Sequence, residues 1–219
     1  MDVSETVKVT LDPLDLAALL CSRVCHDVIS SVGAIVNGLE VLDDEKDGSM
    51  REFANDLIRK SAKQASARLQ FARIAFGAAG SAGSSIDLGD AEQVARGFIQ
   101  DDRVSLVWQA PREYLPKNIV KLLLNLLMVA SHAIPRGGEM TMTLEKDEER
   151  VVIKIAAKGV SPRIPPHFED LIAGRAGSNG VDAHAIQPYY AGLLAKAANM
   201  TVTFKLQDDM VMIEASLRS

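Results

Sequence analysis

Apolar residues return every three to four positions from Pro13 to Leu42, the period of an amphipathic helix. A heptad places Leu14, Cys21, Val28, Ile35 and Leu42 on one row and Ala17, Val24, Ser31 and Gly38 on its mate. Asp12 and Pro13 supply an N-cap and a first-turn proline. Some 30 residues then form a rod of about 45 Å. Asp43 to Ser49 reads as a polar turn. A second helical pattern follows through Met50, Phe53, Leu57, Ile58, Ser61, Ala65, Leu69, Ala72 and Phe76. Its solvent face is expected to carry Arg51, Asp56, Arg59, Lys60, Lys63 and Arg68. Two long helices across a short turn predict an antiparallel hairpin. Alone it leaves an apolar stripe uncovered, so a second copy is expected to complete a four-helix bundle, making a homodimer.

The run GAAGSAGSS, Gly77 to Ser85, reads as a flexible linker and divides the chain into residues 1–78 and 86–219. The second part alternates between periods. Asp90 to Ile99 reads as a helix, Val104 to Trp108 as a strand, and Pro116 to Ile134 as a buried apolar helix. Met140 to Leu144 and Val151 to Ala156 read as paired strands around KDEER. A helix is expected after Pro188, within Asp182 to Ala198. Thr201 to Leu206 and Met210 to Ala215 form a final hairpin. The fold class is α+β: a long helical hairpin, then an α/β sandwich with helices on one face of a mixed sheet.

The 219 residues are 47% hydrophobic and 24% charged, which suits a folded chain with a real core. Aromatics are only 5%, so that core is aliphatic. A net charge of -5 without a basic stripe argues against nucleic-acid binding. The apolar run LLLNLLMVA is too short to span a bilayer, and MDVSETVKVT lacks the pattern of a signal peptide. The expectation is a cytoplasmic protein with no membrane segment. Cys21 and Cys25 lie one turn apart near the apolar side of the first helix. They are expected to be small buried thiols, since a disulfide fits poorly there and a metal needs more ligands.

His26 carries the candidate chemistry. It falls opposite the apolar seam, presented outward from a rigid helix. A solvent-facing imidazole is mostly neutral near pH 7 and so can attack an electrophilic phosphorus. Such a nucleophile must reach a partner's acyl phosphate in line with the leaving carboxylate. Asp27 is placed to hydrogen-bond the other ring nitrogen, Ser30 to touch phosphoryl oxygens and Arg23 to offset their charge. Gly33 leaves room for a partner backbone. Leu19, Ser22 and Ile29 are candidates for a docking patch. The competing reading is a solvated His-Asp pair with no role, and residue chemistry alone leaves the two level. His132 is expected to be a core or edge residue, and His167 and His184 show no metal-ligand spacing.

The segment HDVISSVGAIVNGLEVL resembles the phosphoacceptor box of bacterial two-component signalling proteins, with His26 in the phosphorylated place. KLLLNLLMVASHAIPRGG, VVIKIAAKGVSPRIP and IQPYYAGLLAKAANMTVTF resemble the nucleotide-site boxes of a histidine-kinase ATPase domain. The departures are specific. Val129 stands at the magnesium-binding asparagine of NLLxNA. Ala157 stands at the adenine-reading aspartate of DxGxG, whose second glycine is also missing. The lid glycines shrink to Gly192 beside Tyr189 and Tyr190. GRAGSNG, Gly174 to Gly180, lacks GxxxxGK[ST] and reads as lid remnant. The losses remove metal, base and phosphate contacts, so no ATP binding is expected.

A kept phosphoacceptor beside a lost nucleotide site is similar to the dimeric histidine phosphotransferases of the ChpT type. The resemblance implies a relay: His26 accepts a phosphoryl group from the receiver domain of a hybrid histidine kinase and passes it to response-regulator aspartates. Residues 1–78 would then be the dimerisation and phosphotransfer domain, and residues 86–219 a degenerate ATPase-like domain. It implies no cofactor on this chain, with Mg2+ in the partner receiver. A divergent kinase with an atypical ATP site and a non-catalytic scaffold for response regulators stay as alternatives.

Overall fold

The computed structural model describes residues 6–44, 47–77, 84–147, 150–177 and 180–218. Two helices, α1 (Pro13–Asp44) and α2 (Gly48–Ala75), form the hairpin. The middle of the expected turn lies outside the described residues, but Asp47 caps α2 by accepting from the Ser49 amide at 2.9 Å. The antiparallel register is set by side chains. Arg51 reaches the Leu42 carbonyl, Gly38 faces Ala54 and Ile58, Ser31 bonds Gln64, and Arg68 reaches the Asp27 carbonyl.

The seam within the hairpin is made of small residues. Ser31 and Gly38 on α1 and Ala54, Ser61 and Ala65 on α2 are buried. A Cβ at Gly38 would lie 2.6 Å from Ile58 Cγ1, so glycine allows the close approach. The heptad's second row is met at Ser31 and Gly38, while its first row and the buried thiols are corrected. Leu14 is 80% exposed, and Cys21 and Cys25 are exposed rather than buried. The large residues of α1 belong to a face that α2 does not cover. Ile29, Val32, Val36 and Leu39 stay exposed there, as do Met50 and Phe53 on α2. By length and composition alone α1 also passes as a membrane span, with a mean hydropathy of 1.5 over 18 residues. Interruption by Arg23, His26 and Asp27 hides this from a search for unbroken apolar runs.

The second part holds β2 (Ser85–Asp87), α3 (Leu88–Ile99), β3 (Val104–Gln109), β4 (Tyr114–Pro116), α4 (Lys117–Ser131), β5 (Gly138–Asp147) and β6 (Arg150–Gly159). After these come α5 (Phe168–Ile172), β7 (Arg175–Ala176), α6 (Ile186–Ala197), β8 (Met200–Gln207) and β9 (Met210–Leu217). The main sheet has the order β3-β5-β6-β9-β8. β3 and β5 run parallel, joined by the α4 crossover, and the other pairs are antiparallel. Alternate residues Met140, Met142, Leu144, Ile153, Ile155, Ala157, Val211, Ile213 and Ala215 point into one core with α3, α4 and α6. α6 begins two residues before Pro188, because a first-turn proline lacks only an N–H that needs no helical partner.

Part of the expected linker, residues 78–83, lies outside the described residues. Phe71 and Ala75 of α2 are buried in the sheet domain's own core, so the hairpin is rooted in that domain. A second anchor is at the N-terminal end. The strand β1 (Val7–Lys8) pairs antiparallel with β7, and the Val9 amide donates to the Gly174 carbonyl at 2.9 Å. Leu16, Leu19 and Leu20 pack on a small cluster of Leu171, Ala176, Ile186 and Tyr189.

Candidate active site

His26 projects from α1 with 70% of its side chain exposed. Its Nδ1 is 3.7 Å from Asp27 Oδ1, near enough for electrostatic influence and too far for a hydrogen bond. Asp27 is only 16% exposed, and its Oδ2 accepts from Arg23 Nε at 3.1 Å. The two sequence assignments change accordingly. Asp27 is turned toward Arg23, and Arg23 is a mostly buried partner of Asp27 rather than a cation aimed past His26. Ser22, His26, Ile29 and Gly33 share one face at helical spacing. Ile29 is 68% exposed, and the space around Gly33 is open, with nothing within 4 Å of a Cβ built there. Leu19 continues that face by spacing but is covered. It is half-buried against the cluster under α6, because the sheet domain folds onto this stretch of α1.

Arg68 is the site residue that sequence reading misassigned to the solvent face. Its Nη1 donates to the Asp27 carbonyl, and lies 3.3 Å from both Ser30 Oγ and Ser31 Oγ. Ser31 Oγ in turn donates to Gln64 Oε1 at 2.8 Å. A guanidinium from α2 therefore holds the turn of α1 that follows His26, beside the exposed Ser30.

The sheet domain brings a second histidine to the site. The rings of His184 and His26 stand edge to face, 6.1 Å apart between centroids at 76°. The backbone at His184 is fixed by Asp182, whose Oδ1 accepts from the His184 and Ala185 amides at 2.9 and 2.8 Å. These amides, Ala185 first, hold the Asp182 carboxyl below its ordinary pKa. Tyr189 is buried, and its hydroxyl accepts from the Leu11 amide at 3.2 Å and donates to the Val9 carbonyl at 3.4 Å. Tyr189 thus ties the start of α6 to the chain leading into α1. His132, at the C-cap of α4, is an edge residue with Nδ1 2.8 Å from the Met128 carbonyl. Although its rim is exposed, desolvation by the surrounding protein is the largest influence and pushes its pKa down. His167, at the N-cap of α5 with a positive φ of 65°, lines the same cleft as His184.

The positions that resemble a kinase nucleotide site in sequence have structural uses of their own. Val129 and Ala157 lie in the main core. Asn125 is fully buried, donating to the carbonyls of Ala75 (3.2 Å) and Lys121 (2.8 Å) and accepting from Gln187 (2.7 Å). A Cβ at Gly159 would meet the Gly137 carbonyl at 2.5 Å, and one at Gly192 would strike the Ile172 carbonyl. Close backbone packing explains both glycines. A cleft of about 390 Å³ lies between α5 and the segment that leads into α6, with Phe168, Leu171, Asp182 and His184 on its walls.

The profile of the family described as Histidine phosphotransferase C-terminal domain matches residues 88–210. The Protein phosphotransferase ChpT of Brucella abortus (strain 2308) is 49% identical over 210 residues, 96% of this chain and 99% of that one. The chain belongs to the ChpT-type histidine phosphotransferases. A solved structure titled 1.7 Angstrom Structure of a Bacterial Phosphotransferase is 47% identical, with a TM-score of 0.88 over 95% of this chain and 99% of that one. Histidine-kinase catalytic domains are more distant; that of ThkA gives a TM-score of 0.48 at 12% identity over 63% of this chain and 97% of its own. Membership in the ChpT type carries a phosphotransferase activity and a role in two-component signalling.

Proposed function

We propose that this chain is a phosphorelay intermediate that carries the phosphoryl group on His26. The observation behind this is an exposed imidazole on a braced helix, in a chain whose nucleotide-site positions are built into the core. The donor is an aspartyl phosphate on the receiver domain of a hybrid kinase. A neutral ring nitrogen of His26 attacks the phosphorus, the N–P bond forms, and the acyl P–O bond breaks as the aspartate carboxylate leaves. The second step reverses this sense onto a response-regulator aspartate. Asp27 lies on the Nδ1 side, which leaves Nε2 for attack and puts a negative charge beside the imidazolium-like product. Ser30 and Arg68 face the incoming oxygens from one side. Ser22, Ile29 and Gly33 form the exposed face on which the receiver sits, with Leu19 beneath it.

The chain takes no ATP in this reading, and Mg2+ belongs to the receiver's acidic pocket. Val32, Val36, Leu39, Met50 and Phe53 are the apolar surface that a second copy covers in a four-helix bundle. The protein works in the cytoplasm, where receiver domains are, with no nucleic-acid partner. The test offers the protein either radiolabelled phospho-receiver or radiolabelled ATP. Acid-labile, base-stable label from the receiver alone is expected. Label from ATP would instead favour a divergent kinase, and binding of receivers without label from either source would leave only a scaffold.

A variant separates Arg68 from general surface charge. Arg68→Met removes the guanidinium that holds the Asp27–Ser31 turn. Loading of His26 should slow roughly tenfold, about 1.4 kcal/mol of barrier, in rapid-quench measurements. Lys63→Met, in the exposed part of α2, should leave the rate within a factor of two or so.

A further inference from the structure

We infer that His184 is a second histidine of the transfer site, donating a hydrogen bond to the phosphoryl group while that group is on or near His26. The inference rests on the reading of His26 as the phosphoryl carrier. Three observations support it. The first is spacing. At 6.1 Å between centroids, His184 stands beside His26, where a ring nitrogen comes within hydrogen-bonding reach of an oxygen on a phosphoryl group carried by His26. The second is exposure: both rings are exposed, so the pair is a surface site and not a packed core contact. The third is fixation. Asp182 caps the backbone at His184, and Tyr189 and the β1–β7 pairing fasten that segment to the chain entering α1. An imidazole on an unfastened loop would lose entropy on engaging the group, and this one is already placed.

The chemistry divides by side. Ser30 and Arg68 approach from the hairpin, on the Asp27 carbonyl side. His184 approaches from the sheet domain, whose other described histidines are His132, with its Nδ1 taken by the Met128 carbonyl, and His167, which lines the same cleft. A phosphoryl group has three acceptor oxygens, and one more donor stabilises the charge spread over them in the transition state. No proton need move: the N–P bond forms as the acyl P–O bond breaks, and His184 keeps its proton throughout. Loading and unloading pass through transition states of the same kind, and unloading gains to the extent that the hydrogen bond is stronger there than in the phosphohistidine.

The experiment compares wild type, His184→Ala and His184→Gln. Each is loaded from a phospho-receiver under rapid quench, then freed of donor for phosphorus NMR of the phosphohistidine. In His184→Ala, loading should slow roughly tenfold, unloading by that factor or less, and the phosphorus resonance should move. His184→Gln keeps an N–H donor and should recover most of the rate. The resonance is read with no partner present, so a histidine acting only in docking would leave it in place. An unmoved resonance, or wild-type rates in His184→Ala, overturns the inference while leaving the relay intact. An unlabelled wild type overturns the relay itself, and the inference falls with it.

Discussion

His26→Ala should abolish phosphoryl acceptance while leaving the fold unchanged. The side chain is 70% exposed and has no role in the core, and alanine is the better helix former. Its stability should stay within about 0.5 kcal/mol of wild type in urea unfolding. The loss of transfer should be far larger. Removing a nucleophile from a working site costs several orders of magnitude, roughly 10⁴-fold or more. The nearby groups do not replace it. Ser30 shares its hydroxyl with Arg68, and Cys25 would leave a phosphothiol with a different acid and base lability. His184 is the informative control because it is the ring nearest the site from the other domain. If His26→Ala took up acid-labile label at the wild-type rate, the acceptor would be another histidine and the relay assignment at His26 would be wrong. Receiver binding by this variant should persist, since Ser22, Ile29 and Gly33 are untouched.

The hairpin and most elements of the sheet domain could be read from apolar spacing, and their ends moved by only a few residues. What could not be read was which face of α1 meets which neighbour. α1 is apolar around much of its circumference because α2 takes one side, the cluster under α6 takes its first turns, and a further stripe stays open. One heptad cannot separate these demands: its second row held Ser31 and Gly38, the buried intrachain contact, but its first row took in Leu14 and Cys21, which stay exposed. Arg68 was within reach. Folding the chain back at the polar turn, so that Leu42 meets Arg51, also sets Arg68 opposite Asp27. A helical wheel drawn for α2 alone hides this, since a guanidinium can cross a seam of small residues while its stem stays on the rim. His184 had no such signal. It lies in a non-periodic segment, and only the packing of α6 on α1 brings it to His26. The kinase-box positions were legible by resemblance, but their new uses were not, because Tyr189 and Asn125 act through contacts distant in sequence.

Asn125→Leu is expected to cause the largest loss of stability among these substitutions. The side chain is fully buried where α2, α4 and α6 meet. Leucine has the same branched heavy-atom skeleton and is somewhat larger, so the cost comes from stranded partners rather than from a cavity. Gln187 is also buried, its Nε2 has Asn125 as acceptor, and its Oε1 has no hydrogen-bond partner among the described residues. Losing Asn125 leaves the whole Gln187 amide unsatisfied and takes a donor from the Ala75 carbonyl at the end of α2. Stranded buried groups cost about 1–3 kcal/mol each, so a loss of roughly 3–4 kcal/mol is expected in urea unfolding. At this chain length that corresponds to a fall in Tm on the order of 10 °C. The stranded-amide account also fixes the double variant. Asn125→Leu with Gln187→Leu removes both partners and should regain roughly half of the loss, whereas additive costs would make it worse than either single variant. Because Ala75 roots the hairpin and Gln187 lies three residues from His184, the single variant should also loosen His184 relative to His26. Its loading rate should therefore fall even at temperatures where it is fully folded. A single variant within about 0.5 kcal/mol of wild type would show that the buried amides contribute little there. A double variant less stable than Asn125→Leu would show that packing of the leucine, not the stranded amide, sets the cost.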